Sequence, residues 1–205
     1  MIETEKQVTD DGKIIAFHDE SFDRTVKAIN EGEISPEDIE NLDAGSWFGE
    51  EFSGEKIPLL EEVLSFVKGK AYIILEIKSL RHSIIEKNIG RIINIVKKFQ
   101  YEEYTIFASF DHRLLSSIKQ IDPSLHTAAI KIPGDGRLPE EIIAQTGAEG
   151  FICSLRELNE KIYENVKKTG IYLGVYGVET EEDFRLAAKY NVSALGTNFP
   201  ARIIK

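Results

Sequence analysis

The residues of this chain best suited to chemistry fall into four small groups. These are Glu3-x-Glu5, His18-Asp19, Glu76-x-Lys78, and the aromatic or polar residues that close the later apolar runs, Tyr176 and Asn198 among them. Glu3 and Glu5 share one face of a β-rich run, because strand side chains alternate with period two. Converging carboxylate oxygens are what a hard divalent cation takes as ligands, although an isolated E-x-E pair is more commonly a solvent-facing stripe. His18-Asp19 follows a second β-rich run and reads either as a turn pairing or as an imidazole placed for acid or base work near neutral pH. Glu76 closes the apolar run Tyr-Ile-Ile-Leu. Strand ends are where parallel α/β barrels carry their active sites, so Glu76 is either functional or simply paired with Lys78.

The elements that must position these groups alternate regularly. Strands are expected over residues 72–77, 105–108, 127–130, 150–153, 171–176 and 192–197, by their short apolar runs. Helices are expected between them, over 59–68, 83–98, 112–121, 140–146, 158–168 and 182–190. Leu60, Val63, Leu64 and Val67 line one face of the first, and Gly170 is placed to cap the one over 158–168. This alternation implies a parallel sheet with helical crossovers.

The opening differs. Ile2–Val8 and 13–17 both read as strands, yet too few residues separate them for a parallel crossover, and Asp11-Gly12 favours a two-residue hairpin turn. That turn sets Asp10 opposite Lys13, Glu5 opposite His18 and Glu3 opposite Glu20. Two carboxylates and an imidazole would then converge. Residues 20–57, rich in Gly, Ser, Asp and Glu, read as a functional insertion with at most a short helix over 36–42. Within it Trp47 and Phe48 serve either to pack the insertion or to meet a substrate. Counting the first hairpin strand and the six later ones gives seven parallel strands, one fewer than a closed (β/α)8 barrel.

Composition sets the outer bounds. The 205 residues, 42% hydrophobic and 29% charged, suit one domain spanning 1–205 with a substantial core. A formal net charge of -10 disfavours nucleic acid and anionic membrane surfaces as partners. The single cysteine, Cys153, precludes an internal disulfide or a cysteine-based zinc site, and reads as a small buried hydrophobe. No run suits a membrane span and none resembles a leader, so a soluble, cytoplasmic chain is expected. His82, His112 and His126 read as surface or structural residues.

These residues together resemble a known family. The string IETEKQVTDDGKIIAFHDESFDRT, then LDAGSWFGEEFSGEKIPLLEEVL, then ILEIKS, closely resembles the glycerophosphodiester phosphodiesterases, which show E-x-D, T-x-D-G, a strand ending in H-D, R-T, I-P-x-L-x-E and E-I-K. FASF and LGTNFP extend the likeness toward the end of the chain. The resemblance implies a TIM (β/α)8-type barrel, here lacking its first strand and helix, with a small insertion after the first β-hairpin. It implies hydrolysis of glycerophosphodiesters, small molecules of lipid metabolism, to sn-glycerol 3-phosphate and an alcohol. Glu3, Glu5 and Glu76 match the family's ligands to one divalent cation, Mg2+ or Ca2+. His18 matches a general acid/base histidine, Lys78 a basic residue near the phosphate, and Tyr176 a strand-end position, commonly tryptophan, at the substrate.

Departures accompany the likeness. Nothing in the 205 residues supplies the family's H-R-G strand with its second histidine and its phosphate-binding arginine. Glu5 replaces the usual aspartate, and Asn198 stands where aspartate is common. The competing expectation is therefore a truncated, catalytically impaired member that binds metal or phosphate without turnover. An open barrel edge would also favour a homo-oligomer.

Overall fold

The computed structural model describes residues 1–9, 12–18, 39, 42–78 and 85–203. The expected alternation is present: β1 (Ile2–Val8), β2 (Ile14–Ala16), α1 (Leu60–Val67), β3 (Ile73–Ile77), α2 (Ile85–Lys98), β4 (Thr105–Ser109), α3 (His112–Ile121), β5 (His126–Ile130), α4 (Pro139–Thr146), β6 (Gly150–Ser154), α5 (Glu160–Thr169), β7 (Tyr172–Tyr176), α6 (Glu181–Ala188), β8 (Ala194–Gly196) and α7 (Pro200–Ile203). The local signals account for several ends. Asp111 caps α3 by accepting from the Arg113 N–H, Pro139 opens α4, and α5 stops at Gly170, whose φ of 73° suits a residue without a Cβ.

The strands form one curled eight-stranded sheet in the order β2-β1-β3-β4-β5-β6-β7-β8, in which every pairing is parallel except β1 with β2. The seven parallel strands counted in the sequence are thus present. Among the described residues β2 and β8 are the two edges of the sheet and do not pair with each other.

Both faces of this sheet are apolar, as parallel strands covered on both sides require. On the outer face Leu75, Ile77, Phe107, Phe151, Leu173 and Val175 pack against Leu64, Ile92, Leu114, Ile118, Ile142 and Val166 of the helices. Emptying such a site, as in Phe107→Ala, costs about 3–5 kcal/mol. On the inner face smaller side chains, Ala108, Ala128 and Ile130, meet Ile74, Ile152 and Tyr176. Gly174 faces the same interior, where a Cβ would come 3.0 Å from the Ile152 side chain.

One expectation about the hairpin fails. Val8 pairs with Ile14, Gln7 with Ile15 and Lys6 with Ala16, so the register is shifted by one from that of a two-residue turn. Thr9 and Lys13 close the loop instead, with the Thr9 N–H donating to the Lys13 carbonyl and Gly12 at a φ of 87°. A three-residue loop ending in a left-handed glycine is the other common hairpin solution, and it places Phe17, not His18, across from Glu5. Asp10, Asp11, Asp19, Glu20 and His82 lie outside the described residues, as does most of the 36–42 helix.

The described part of the insertion has its own small core, in which Ile39, Leu42 and Ile57 cover Ile15 of β2. Trp47 and Phe48 do not belong to that core. They form an edge-to-face chain with Phe52, at centroid separations of 5.7 and 5.3 Å, and Phe48 is 71% exposed.

Candidate active site

The site is built from the first half of β1, the end of β3 and the residue pair after β2. Glu5 on β1 is in register with Glu76 on β3, and Glu3 with Ile74, so all three carboxylates project from the inner face near one another. One oxygen from each of Glu3, Glu5 and Glu76 can be chosen such that all lie within 4.8 Å of one another. Glu76 is buried, Glu5 half-buried, and Glu3 the most exposed of the three.

Lys78, two residues beyond Glu76 and so on the same face, reaches back over this cluster. Its Nζ donates to Glu5 Oε1 at 2.8 Å and lies 3.1 Å from Glu76 Oε1, in an ionic contact whose angle falls short of a hydrogen bond. Among the described residues, two buried oxygens, Glu5 Oε2 and Glu76 Oε1, have no hydrogen-bond partner. A buried carboxylate oxygen without a donor is costly in a finished protein interior. His18, at the exposed end of the returning strand, brings Nε2 to 3.6 Å from Glu5 Oε1 despite the shifted register. Glu3, Glu5, Phe17 and His18 share the walls of one open cavity of about 230 Å³.

The electrostatics follow from this crowding. Partial burial, then the like charges of Glu76 and Glu5, pushes Glu3 up to about 7. Water reaching its exposed surface screens part of that effect. Burial likewise raises Glu5, against the opposing hydrogen bond from Lys78. Lys78 would be lowered by burial, but its hydrogen bond to Glu5 and the nearby charges of Glu76 and Glu5 outweigh that and raise it. Among the described residues, three acids answer to one ammonium at hydrogen-bonding distance, so negative charge is in excess at the cluster.

The structure thus brings together Glu3, Glu5, His18, Glu76 and Lys78. Tyr176 stands apart from the carboxylates on β7, yet faces the same interior and feels the charge of Glu76. Asn198 donates to Glu179 Oε1 at 3.2 Å, beyond β8. His112 is structural and buried: its Nε2–H donates to the Ile130 carbonyl at 2.9 Å, which leaves Nδ1 to accept from Arg137. His126 is exposed. Cys153 is buried on the outer face, and burial pushes its thiol up to about 12.

Four polar residues escaped the sequence reading. Lys6 is fully buried on β1, donating to Thr4 Oγ1 at 2.9 Å. Burial, only partly offset by Glu3, drops it to about 7. Lys131, Ser154 and Glu157 join at the ends of β5 and β6. The Lys131 Nζ donates to Glu157 Oε1 at 2.6 Å, and the Ser154 hydroxyl donates to Glu157 Oε2 at 2.9 Å. Strand-end position, the signal that singles out Glu76, also applies to Lys131 and Ser154.

Comparison with known proteins adds a second line of argument. Residues 1–202 match the model of the glycerophosphoryl diester phosphodiesterase family. A glycerophosphodiester phosphodiesterase of Caldanaerobacter subterraneus subsp. tengcongensis is 32% identical over 210 residues, spanning 99% of this chain and 84% of that protein. One from Bacillus subtilis is 31% identical over 218 residues, spanning 97% of this chain and 73% of that protein. Among solved structures, an Oleispira antarctica phosphodiesterase in complex with the product sn-glycerol-3-phosphate superposes with a TM-score of 0.87 at 21% identity, covering 98% of this chain and 82% of its own. A glycerophosphodiester phosphodiesterase from Agrobacterium tumefaciens gives 0.82 at 22% identity, covering 98% and 84%. At these identities the structural likeness speaks for the barrel fold.

Proposed function

Because this chain belongs to the glycerophosphoryl diester phosphodiesterase family, we propose that it hydrolyses glycerophosphodiesters to sn-glycerol 3-phosphate and an alcohol at the cluster of Glu3, Glu5, Glu76, His18 and Lys78. The observation that carries this reading is the donor set. Three carboxylates converge within 4.8 Å, and among the described residues two of their buried oxygens make no hydrogen bond. Such oxygens fit a hard divalent cation, Mg2+ or Ca2+, held by Glu3, Glu5 and Glu76. When bound, that ion would supply electrostatic stabilisation of the charge that develops on the phosphoryl oxygens.

The chain's own groups account for the rest. Lys78, bridging Glu5 and Glu76, offers its remaining N–H to a phosphate oxygen and sets the diester against the carboxylates. Water adds to phosphorus as the alcohol leaves, and the departing alkoxide needs a proton. The His18 imidazole, its Nε2 3.6 Å from Glu5 Oε1, can give that proton and take up the one the attacking water loses. Glu5 therefore has two duties, orienting His18 and joining the acidic cluster.

A second reading is favoured by one observation: among the described residues His18 is the only imidazole at the cluster, since His112 and His126 lie elsewhere. A site with one proton-transfer group would bind metal and phosphate while turning over slowly. Release of glycerol 3-phosphate with Mg2+ or Ca2+, measured against a chelated control and against Glu76→Gln, separates the two. Metal-dependent release abolished in the variant supports the hydrolase, whereas metal binding without release supports the binder. The open sheet edge at β8 is the proposed route to self-association.

A further inference from the structure

The insertion carries a feature that the acidic cluster does not use. Residues 44–55 form a loop closed on itself. The Ala44 N–H donates to the Glu55 carbonyl at 2.8 Å, and within the loop the Phe48 and Phe52 N–H groups donate back to the Gly45 and Gly49 carbonyls at 2.9 and 3.0 Å. Asp43 pins the entrance, accepting from the Gly45 and Ser46 N–H groups at 3.0 and 2.9 Å and from the Ser46 hydroxyl at 2.5 Å. A loop braced by its own backbone holds its side chains in fixed directions.

Three of those side chains are exposed aromatic rings, Trp47, Phe48 and Phe52. Phe48 stands steeply against both of the others, at interplanar angles of 73° and 61°. Steep packing of this kind turns the ring faces in different directions, as the walls of a corner do. A ring face carries negative partial charge and attracts a cation. The surrounding charge has the same preference: residues 44–56 hold three exposed carboxylates, Glu50, Glu51 and Glu55, against the one ammonium of Lys56. An apolar surface with that rim suits a group that is apolar outside and positive in charge, which describes a quaternary ammonium.

Phe17 joins this loop to the acidic cluster. It lines the cavity shared by Glu3, Glu5 and His18, and it packs against the core of Ile39, Leu42 and Ile57, on which Ala44 at the start of the loop also packs. We propose that Trp47, Phe48 and Phe52, rimmed by Glu50, Glu51 and Glu55, bind the quaternary ammonium group of a cationic alcohol in the diester substrate. This rests on the glycerophosphodiester reading above and names the class of its alcohol. The acidic cluster and Lys78 take the phosphate, and the loop takes the positive end.

Trp47 is the sole tryptophan of the chain, so its emission reports on this loop. Titration with glycerophosphocholine and with the matching diester of 3,3-dimethylbutan-1-ol, in which carbon replaces the charged nitrogen, separates charge from shape. With Mg2+ present and emission read by rapid mixing before turnover, the unaltered chain is expected to bind the cationic diester about fivefold more tightly, the worth of one exposed cation–π contact. In Phe48→Leu, and in Glu50→Gln combined with Glu51→Gln, that preference should fall to within about twofold of unity. All three positions are exposed, so neither variant disturbs the core. A preference kept in both variants overturns the proposal. An emission change that follows protein concentration without ligand overturns it too, by giving the rings to a second copy of the chain. If the unaltered chain binds both diesters equally and releases glycerol 3-phosphate from them, the proposal falls and the hydrolase reading stands; if it binds neither, both fall together.

Discussion

Glu76→Gln isolates the acidic cluster, because the change keeps the size of a buried side chain and removes its charge. Without a cation the loss has opposing parts. Each like-charge neighbour within 4.8 Å repels Glu76, by about 1 kcal/mol in water-like surroundings and about 3.5 kcal/mol at an effective dielectric constant near 20. Lys78, 3.1 Å away, attracts it by a comparable or larger amount, but keeps its hydrogen bond to Glu5 in the variant. The apo protein should therefore change little in melting temperature. With a cation present the sign is unambiguous, since a ligand and its charge are both gone. If the unaltered chain binds at one-hundredth of the working metal concentration, binding stabilises it by about 2.7 kcal/mol. For a chain of this size that is about 5–10 °C in melting temperature. Glu76→Gln should lose most of that rise, while Glu164→Gln, at a side chain 55% exposed on α5, should keep it. Thermal melts in chelator, Mg2+ and Ca2+ read the difference. No metal-dependent rise in the unaltered chain, or an equal rise in both variants, would refute the reasoning.

The raised Glu3 gives a pH signature of defined sign. Between its ordinary 4.5 and about 7 the folded chain binds more protons than the unfolded one, so Glu3's contribution to stability declines as pH rises through that window. Denaturant titrations in chelator should show this slope, and Glu3→Gln should flatten it; an unchanged slope would remove Glu3 from the cluster. The 205 residues expressed alone should release glycerol 3-phosphate at least ~100-fold more slowly than a version preceded by an H-R-G strand and helix, and His18→Ala in that longer version should remove most activity. Equal rates for the two lengths would mean that another residue supplies the second proton transfer. The β8 edge, with Leu186 and Phe199 each about two-fifths exposed nearby in sequence, should drive concentration-dependent self-association in light scattering. A monodisperse monomer at high concentration would count against it.

How much of this was legible beforehand varies by residue. Glu76 and Lys78 could be read from one strand, because an apolar run that ends in charge marks both its own boundary and the sheet end. The side-by-side placement of Glu3 and Glu5 needed only the strand period. His18 was harder: its approach to Glu5 was expected from a two-residue turn, whereas the actual loop takes three residues and puts Phe17 across from Glu5. The histidine reaches the carboxylate from one position further on. Trp47 and Phe48 allow either packing or substrate contact by sequence, and among the described residues they stand outside the insertion's small core.

Local sequence determined the strands, the helices, their order and the parallel sheet, since these follow from apolar period, caps and turn residues within a few positions of one another. It also determined the chemistry available, through carboxylates and an imidazole at strand ends. Tertiary structure alone decided which groups meet. The buried lysine of β1, and the meeting of Lys131 and Ser154 with Glu157 at the ends of β5 and β6, rest on separations in sequence that carry no period. Pairwise register and the curl of the sheet place them, and both are set by packing across the whole chain.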